Sequence, residues 1–266
     1  MSDKTTIEWT DATWNPVTGC TKVSPGCAHC YAEAITLRFR RGGPYLPGLA
    51  TIRLHEDRLG QPRKWTEPRR VFVNSMSDLF HEHVPFEFVD RVFQVMADCP
   101  HHCFQILTKR PERMLEYSQR LGVSRTWPNH VWAGTSVENQ YWADRRVPIL
   151  REVPAPVRFL SCEPLLKPLS LDLSGIDWVI VGGESGPKAR PMRGEWVADI
   201  RHQCERAGVP FFFKQWGGRT CKAGGRILDG KLWNAMPFAR PSGATVAQDS
   251  FLLASCVREG DEVAAT

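Results

Sequence analysis

Three cysteines, Cys20, Cys27 and Cys30, fall within eleven residues of the stretch "TWNPVTGCTKVSPGCAHCYAE" (residues 13–33), just before a segment with helical character. A four-ligand zinc site draws on repeated C-x2-C pairs, or on one such pair with two histidines. Here Cys27 and Cys30 form the one close pair. A fourth zinc ligand would have to be His29, inside that pair, or a distant residue such as Cys103 or Cys162. Three thiolates without an obvious fourth suit instead a 4Fe-4S cluster whose fourth iron is free to bind a ligand that is not protein.

A second set of chemistry-bearing residues follows short apolar runs. These are Asn74, Ser75, Ser77 and Asp78; Thr108, Lys109 and Arg110; Thr135, Ser136 and Glu138; Ser161, Cys162 and Glu163; Glu184 and Ser185; and Lys214 and Gln215. Lys109 and Arg110 can pair with a carboxylate or phosphate, while Ser136, Glu138 and Glu163 can hydrogen-bond a ribose, an amine or a substrate. A carboxylate at the end of an apolar strand, as expected for Glu163 and Glu184, needs a partner. The competing role for each residue is to cap a following helix, which Pro111 and Pro164 support. Cys162 also stands at a strand end, where the competing role is that of a small buried apolar group. His81, His83, His101 and His102 lack the H-E-x-x-H spacing that sets two metal ligands on one helical face. Trp9, Trp14, Trp132, Trp142 and Trp216 are either base-stacking platforms or core packing.

The elements that must position these residues alternate. Apolar, β-rich runs occupy residues 70–75, 103–108, 130–135, 157–162, 177–183 and 209–214, and a short strand is expected near 12–17. Nearly continuous apolar strands are those of a parallel sheet covered on both faces. Between them, Phe86, Val89, Phe93 and Met96 share a helical face, Pro111 starts a helix that Gly122 stops, and Trp196, Ile200, Cys204 and Ala207 form a stripe closed by Gly208. The reading is α/β: a complete or partial (β/α) barrel of about seven parallel strands over residues 1–216. Residues 217–266 are read as a glycine-rich appendage, with a hairpin at "LDGKLW" and a tail. In a barrel, functional side chains gather at the carboxyl-terminal rim, where the polar residues above fall.

The chain has 266 residues and 24% of them are charged, which describes an ordinary globular protein rather than a disordered one. Its polar start and the shortness of its apolar runs predict neither a signal peptide nor a membrane span, and hence a cytoplasmic protein. Nine cysteines in a reducing compartment favour metal or redox chemistry over a disulfide framework. A net charge of +5, with basic clusters at residues 38–42, 67–70 and 143–147, is compatible with a nucleic-acid or nucleotide partner, though such runs are usually solvated surface.

The three cysteines after a first strand resemble those of the radical S-adenosylmethionine enzymes. That resemblance implies a 4Fe-4S cluster on Cys20, Cys27 and Cys30 whose open iron binds S-adenosylmethionine. It further implies cleavage to a 5′-deoxyadenosyl radical that abstracts hydrogen, and a reductant such as flavodoxin or ferredoxin. The spacing here is C-x6-C-x2-C, against the commonest C-x3-C-x2-C, and His29 stands where an aromatic is usual. The superfamily's GGE motif ends the second strand, whereas "VGGESG" (residues 181–186) ends a late one, so Ser75, Ser77 and Asp78 are its positional substitutes.

"VFVNSMSDLFHE", "ILTKRPERM", "VWAGTSVENQ", "RFLSCEPLL", "WVIVGGESGPKARPM" and "VPFFFKQWG", together with the cysteine stretch, resemble the phage gene-product thirty-seven and sixty-eight family. That family is similar to the spore photoproduct lyase branch of radical S-adenosylmethionine proteins and has no assigned substrate. From their strand-end positions Glu163, Glu184 and Lys109 are candidate catalytic residues and Thr108, Ser136 and Glu138 candidate cofactor-binding residues. The resemblance adds Cys162 as a catalytic candidate, a hydrogen-atom donor as a cysteine is in spore photoproduct lyase, and Ser75, Ser77 and Asp78 as cofactor-binding candidates. The expected function is modification or repair of a nucleic acid or nucleotide. The alternative is a zinc-stabilised nucleic-acid-binding or phage accessory protein without catalysis.

Overall fold

A computed structural model describes residues 5–39, 45–46, 49–120, 126–220 and 223–237. Seven parallel strands form one sheet in sequence order: β1 (Ala12–Trp14), β2 (Arg70–Val73), β3 (Cys103–Thr108), β4 (Val131–Ser136), β5 (Arg158–Cys162), β6 (Trp178–Gly182) and β7 (Phe211–Gln215). Strands β4 and β6 are buried along their whole length, as continuous apolar runs require of a sheet covered on both sides.

Five helices supply most of the crossovers and cover: α1 (Tyr31–Phe39), α2 (Phe86–Ala97), α3 (Pro111–Arg120), α4 (Gln140–Glu152) and α5 (Gly194–Ala207). On α2 the buried face is Phe88, Val89, Val92, Phe93, Val95 and Met96, broader than the expected stripe, and Phe86 is only half-buried. Helix α5 buries Val197, Ile200 and Cys204 and ends at Gly208, whose left-handed φ of 64° closes it. Helix α4 escapes the sequence reading because Pro148 lies inside it. It starts at Asn139, whose side chain accepts the Trp142 N–H.

The strands' alternation produces two cores. Phe104, Ile106, Ala133, Leu160, Val179, Val181 and Phe213 face the helices. Trp9, Phe72, Trp132, Phe159, Trp178, Ile180 and Phe212 face inward. The inner aromatics show that the sheet curls. Trp9, just before β1, lies 6.2 Å from Trp178 on β6 between ring centroids, whereas five strand spacings in a flat sheet span about 24 Å. The protein is therefore a partial barrel, with β1 and β7 at the edges of the ordered sheet. Gly134 makes the curl possible at β4, since a Cβ there would meet the Phe159 ring at 2.4 Å.

Past β7 the chain runs back along it, with Trp233 O accepting the Phe213 N–H and Ala235 O accepting the Trp178 indole N–H. The hairpin expected at "LDGKLW" is present: Leu228 pairs with Lys231 across Asp229 and Gly230, both at positive φ. No helix among the described residues is long and apolar enough to cross a membrane. The basic residues Arg40 and Arg41 and the tail from 238 onward lie outside the described residues.

Candidate functional site

A cavity of about 560 Å³ opens at the carboxyl-terminal ends of the strands. Its wall includes Cys20, Cys27 and Cys30 from one loop, and Ser75, Ser77, Asp78, Thr108, Lys109, Ser136, Glu163, Glu184, Lys214 and Gln215 from six successive strand ends. Trp9, Phe72 and Leu107 are among its apolar lining. The gathering follows from topology, because every strand of a parallel sheet delivers its following loop to the same side.

The cysteine loop is held by three buried carboxylates, one each from the ends of β2, β4 and β6. Asp78 accepts from Thr108 Oγ1 at 2.7 Å, from the backbone N–H groups of Phe80 and Lys109, and from Arg110 Nη1 at 3.2 Å. Arg110 in turn donates to Thr21 Oγ1 at 2.7 Å and to the Thr21 carbonyl at 3.2 Å, next to Cys20. Glu138 is fully buried, accepts from Ser24 Oγ at 2.5 Å and pairs with Arg146 at 3.1 Å. Glu184 binds Arg190 through both carboxylate oxygens and meets His29 Nδ1 at 3.0 Å. Burial raises the Glu184 carboxyl, but the hydrogen bonds from Arg190 and His29 outweigh it and hold the group down at about 2.

Three glycines permit close packing around the site. A Cβ on Gly26, between Ser24 and Cys27, would lie 2.4 Å from Glu138 Oε1. The "GGE" of residues 182–184 has a packing reason of the same kind: a Cβ at Gly182 would meet Glu163 Oε1 at 2.4 Å, and one at Gly183 the Trp216 carbonyl oxygen at 2.0 Å.

Among the described residues the three cysteines are free thiols, half-buried on the cavity wall. Without a ligand, burial and the neighbouring Asp78 charge push the Cys20 thiol up to about 12 against the opposing pull of Arg110. Binding a metal there must displace that proton. Among the described residues no group of three or more His, Cys, Asp or Glu side chains gathers as the donor set of one metal ion.

The structure thus brings together all three cysteines, Ser75, Ser77, Asp78, Thr108, Lys109, Ser136, Glu163 and Glu184. Ser75 and Ser77 also tie β2 to the first loop, donating to Asn15 Oδ1 at 3.2 Å and the Val17 carbonyl at 2.8 Å. Lys109 donates to Ser136 Oγ at 3.1 Å, and Lys214 lies 3.2 Å from Glu163. Two candidates fall elsewhere. Glu138 lies behind the loop rather than on the cavity wall. Cys162 is fully buried in the helix-facing core, because Ser161 takes the inward position on β5 and alternation turns its neighbour outward. Burial raises its thiol well above the usual range and keeps it protonated, but it lies away from the cavity that most other candidates line.

Several participants escape sequence reading. Arg146, taken as part of a surface charge run, is 1% exposed and pairs with Glu138. Arg190 and Ser24 lie within the resembling stretches but bear no feature that marks them as site residues. Of the tryptophans, Trp14 and Trp132 are fully buried and serve the core, while Trp9 packs in the inner core and borders the cavity. His81 is buried and meets Thr21 Oγ1 at 2.9 Å.

The model of a family described as "Protein of unknown function (DUF5131)" matches residues 4–237. No curated protein matches the chain. Two solved structures are similar, both mutants of spore photoproduct lyase. The cysteine-to-serine mutant has 16% identity and a TM-score of 0.42, with 65% of this chain and 55% of that chain covered. The tyrosine-to-phenylalanine mutant has 13% identity and a TM-score of 0.45, with 75% of each chain covered. This chain therefore spans about half the length of the first.

Proposed function

We propose that this chain, which belongs to the DUF5131 family of proteins of unknown function, is a radical S-adenosylmethionine enzyme acting on a nucleic acid or nucleotide. Cys20, Cys27 and Cys30 would hold a 4Fe-4S cluster, with S-adenosylmethionine and substrate in the cavity beside it. The observation that carries this reading is the opening of three free thiols from a single loop into a cavity ringed by polar strand ends.

The donor set suits the group. Soft thiol ligands favour iron-sulfur clusters or zinc. A zinc ion needs about four donors around one centre, whereas the loop itself offers three thiols. In a cubane each cysteine serves its own iron, so three suffice. The bound cluster and S-adenosylmethionine would supply one-electron reductive cleavage; the chain supplies position and exclusion of competing reactions. Glu138, Glu184 and the Asp78–Arg110 pair fix the loop before any metal arrives. Lys109 is the cation to meet a carboxylate or phosphate, since Glu138, 4.0 Å away, is already matched by Arg146. Ser136, Ser161 and Glu163 offer hydrogen-bond partners at the adjacent strand ends. A nucleic-acid or nucleotide substrate is favoured by the net charge of +5, and kinship with the phage gene-product thirty-seven and sixty-eight family is part of the same proposal.

Anaerobic reconstitution tests this directly. The expected protein is brown, holds about four irons per chain, loses them on Cys27→Ala, and converts S-adenosylmethionine to 5′-deoxyadenosine when reduced. Stoichiometric zinc without iron would overturn the cluster reading and favour the zinc-stabilised alternative.

A further inference from the structure

Arg110 is 8% exposed and its guanidinium is spread over four groups: Asp78, Glu82, Thr21 and the sulfur of Cys20, which lies 3.8 Å from Nη1. Asp78 already has Thr108 Oγ1 and two backbone N–H groups, and Glu82 is 53% exposed to solvent. The carboxylates alone therefore do not account for a buried cation aimed at a thiol. Neither Cys27 nor Cys30 has a cation in hydrogen-bond contact with its sulfur among the described residues; Cys27 has the Ser24 hydroxyl at 3.8 Å.

We propose that Arg110 is a positioning residue that sets the reduction potential of the cluster by holding a positive charge and an N–H donor against Cys20. The inference rests on the cluster reading above. Hydrogen bonds and net charge at the ligand sulfurs are among the levers that tune such potentials. The step is the transfer of one electron from an external one-electron reductant to the bound cluster, with no bond made or broken. The cluster becomes more negative on reduction, so a neighbouring cation favours the reduced state and removing it lowers the potential. The carboxylates at Asp78 and Glu82 act in the opposite sense.

The opposed signs provide the test: potentiometric titration of the reconstituted protein, followed by the electron paramagnetic resonance of its reduced form. Arg110→Gln is expected to cut the ratio of reduced to oxidised cluster at a fixed applied potential about tenfold, equivalent to about 59 mV for one electron. Arg110→Lys keeps the charge, loses the fork and is expected to fall by about threefold or less. Glu82→Gln, at a solvent-facing position, is expected to raise the ratio up to about threefold. A structural role in the loop would move every variant in the same direction or leave the potential unchanged, and either result overturns the proposal. If Arg110→Gln does not fold, Arg110→Lys and Glu82→Gln still decide it by their opposite shifts. Wild-type protein that takes up no cluster overturns the cluster reading and this inference together. A loaded wild type with unshifted variants overturns this inference alone.

Discussion

Gly26→Ala isolates the fit of the cysteine loop. The added methyl carbon would lie 2.4 Å from Glu138 Oε1, 2.6 Å from Cγ and 2.8 Å from Cδ, all far inside van der Waals contact. Glu138 is not a flexible side-chain end: it is fully buried and fixed between Ser24 Oγ at 2.5 Å and Arg146 at 3.1 Å. Something must move. Swinging Glu138 off Arg146 leaves a buried guanidinium unpaired, at about 3–5 kcal/mol. Lifting the loop forfeits the Ser24–Glu138 bond, a charge-assisted contact of about 1.5–3 kcal/mol. The loop therefore lifts, and it carries Cys27, the next residue, away from its place. The expected outcome is a thermal midpoint lowered by about 4–10 °C for a chain of this size, together with reduced iron retention after anaerobic reconstitution and desalting. A Gly26→Ala protein that keeps both its midpoint, to within about 1 °C, and its full iron content would refute the claim that Glu138 braces the cysteine loop.

Other consequences concern the remaining braces and the core. Glu184 is held at about 2 in the folded chain against an ordinary 4.5, so its ionised form contributes stability above pH 4.5 that is lost as pH falls toward 2, bounded at about 3 kcal/mol. Glu184→Gln should flatten that limb of an acid-unfolding curve, and an unchanged acid limb would count against the Arg190–Glu184–His29 bridge. Cys162→Ala should cost about 1 kcal/mol in denaturant unfolding and leave conversion of substrate to product intact, whereas loss of product with a full cluster and continued 5′-deoxyadenosine formation would assign that thiol the donor role. Gly183→Ala, whose Cβ would meet the Trp216 carbonyl oxygen at 2.0 Å, should destabilise by about 3 kcal/mol or more because backbone rather than side chain must yield; unchanged denaturant stability would refute the close approach of the β6 and β7 loops.

How much of this was legible beforehand differs by level. The β-rich runs announced seven strands because a strand covered on both faces must be apolar at every position, a property carried by consecutive residues. The cysteine spacing, the proline start of α3 and the glycine stop of α5 are equally local. From parallel strands in sequence order, the gathering of their following loops at one rim is then a matter of topology. What the sequence could not determine is the phase of each strand end and the identity of each polar partner. Ser161 and Cys162 differ by one position, and only the burial of Phe159 and Trp178 against Trp9 shows that the serine looks inward. Likewise Ser24 reaches Glu138 across 114 positions, His29 reaches Glu184 across 155, and Cys20 meets Arg110 across 90. Such pairs are made by the curl of the sheet, which brings distant strand ends over a single loop. The sequence by itself therefore determined which residue types stand at the rim; the tertiary structure decided which of them face the cavity and which brace the cysteines, because burial and charge pairing depend on neighbours that only the closed fold supplies.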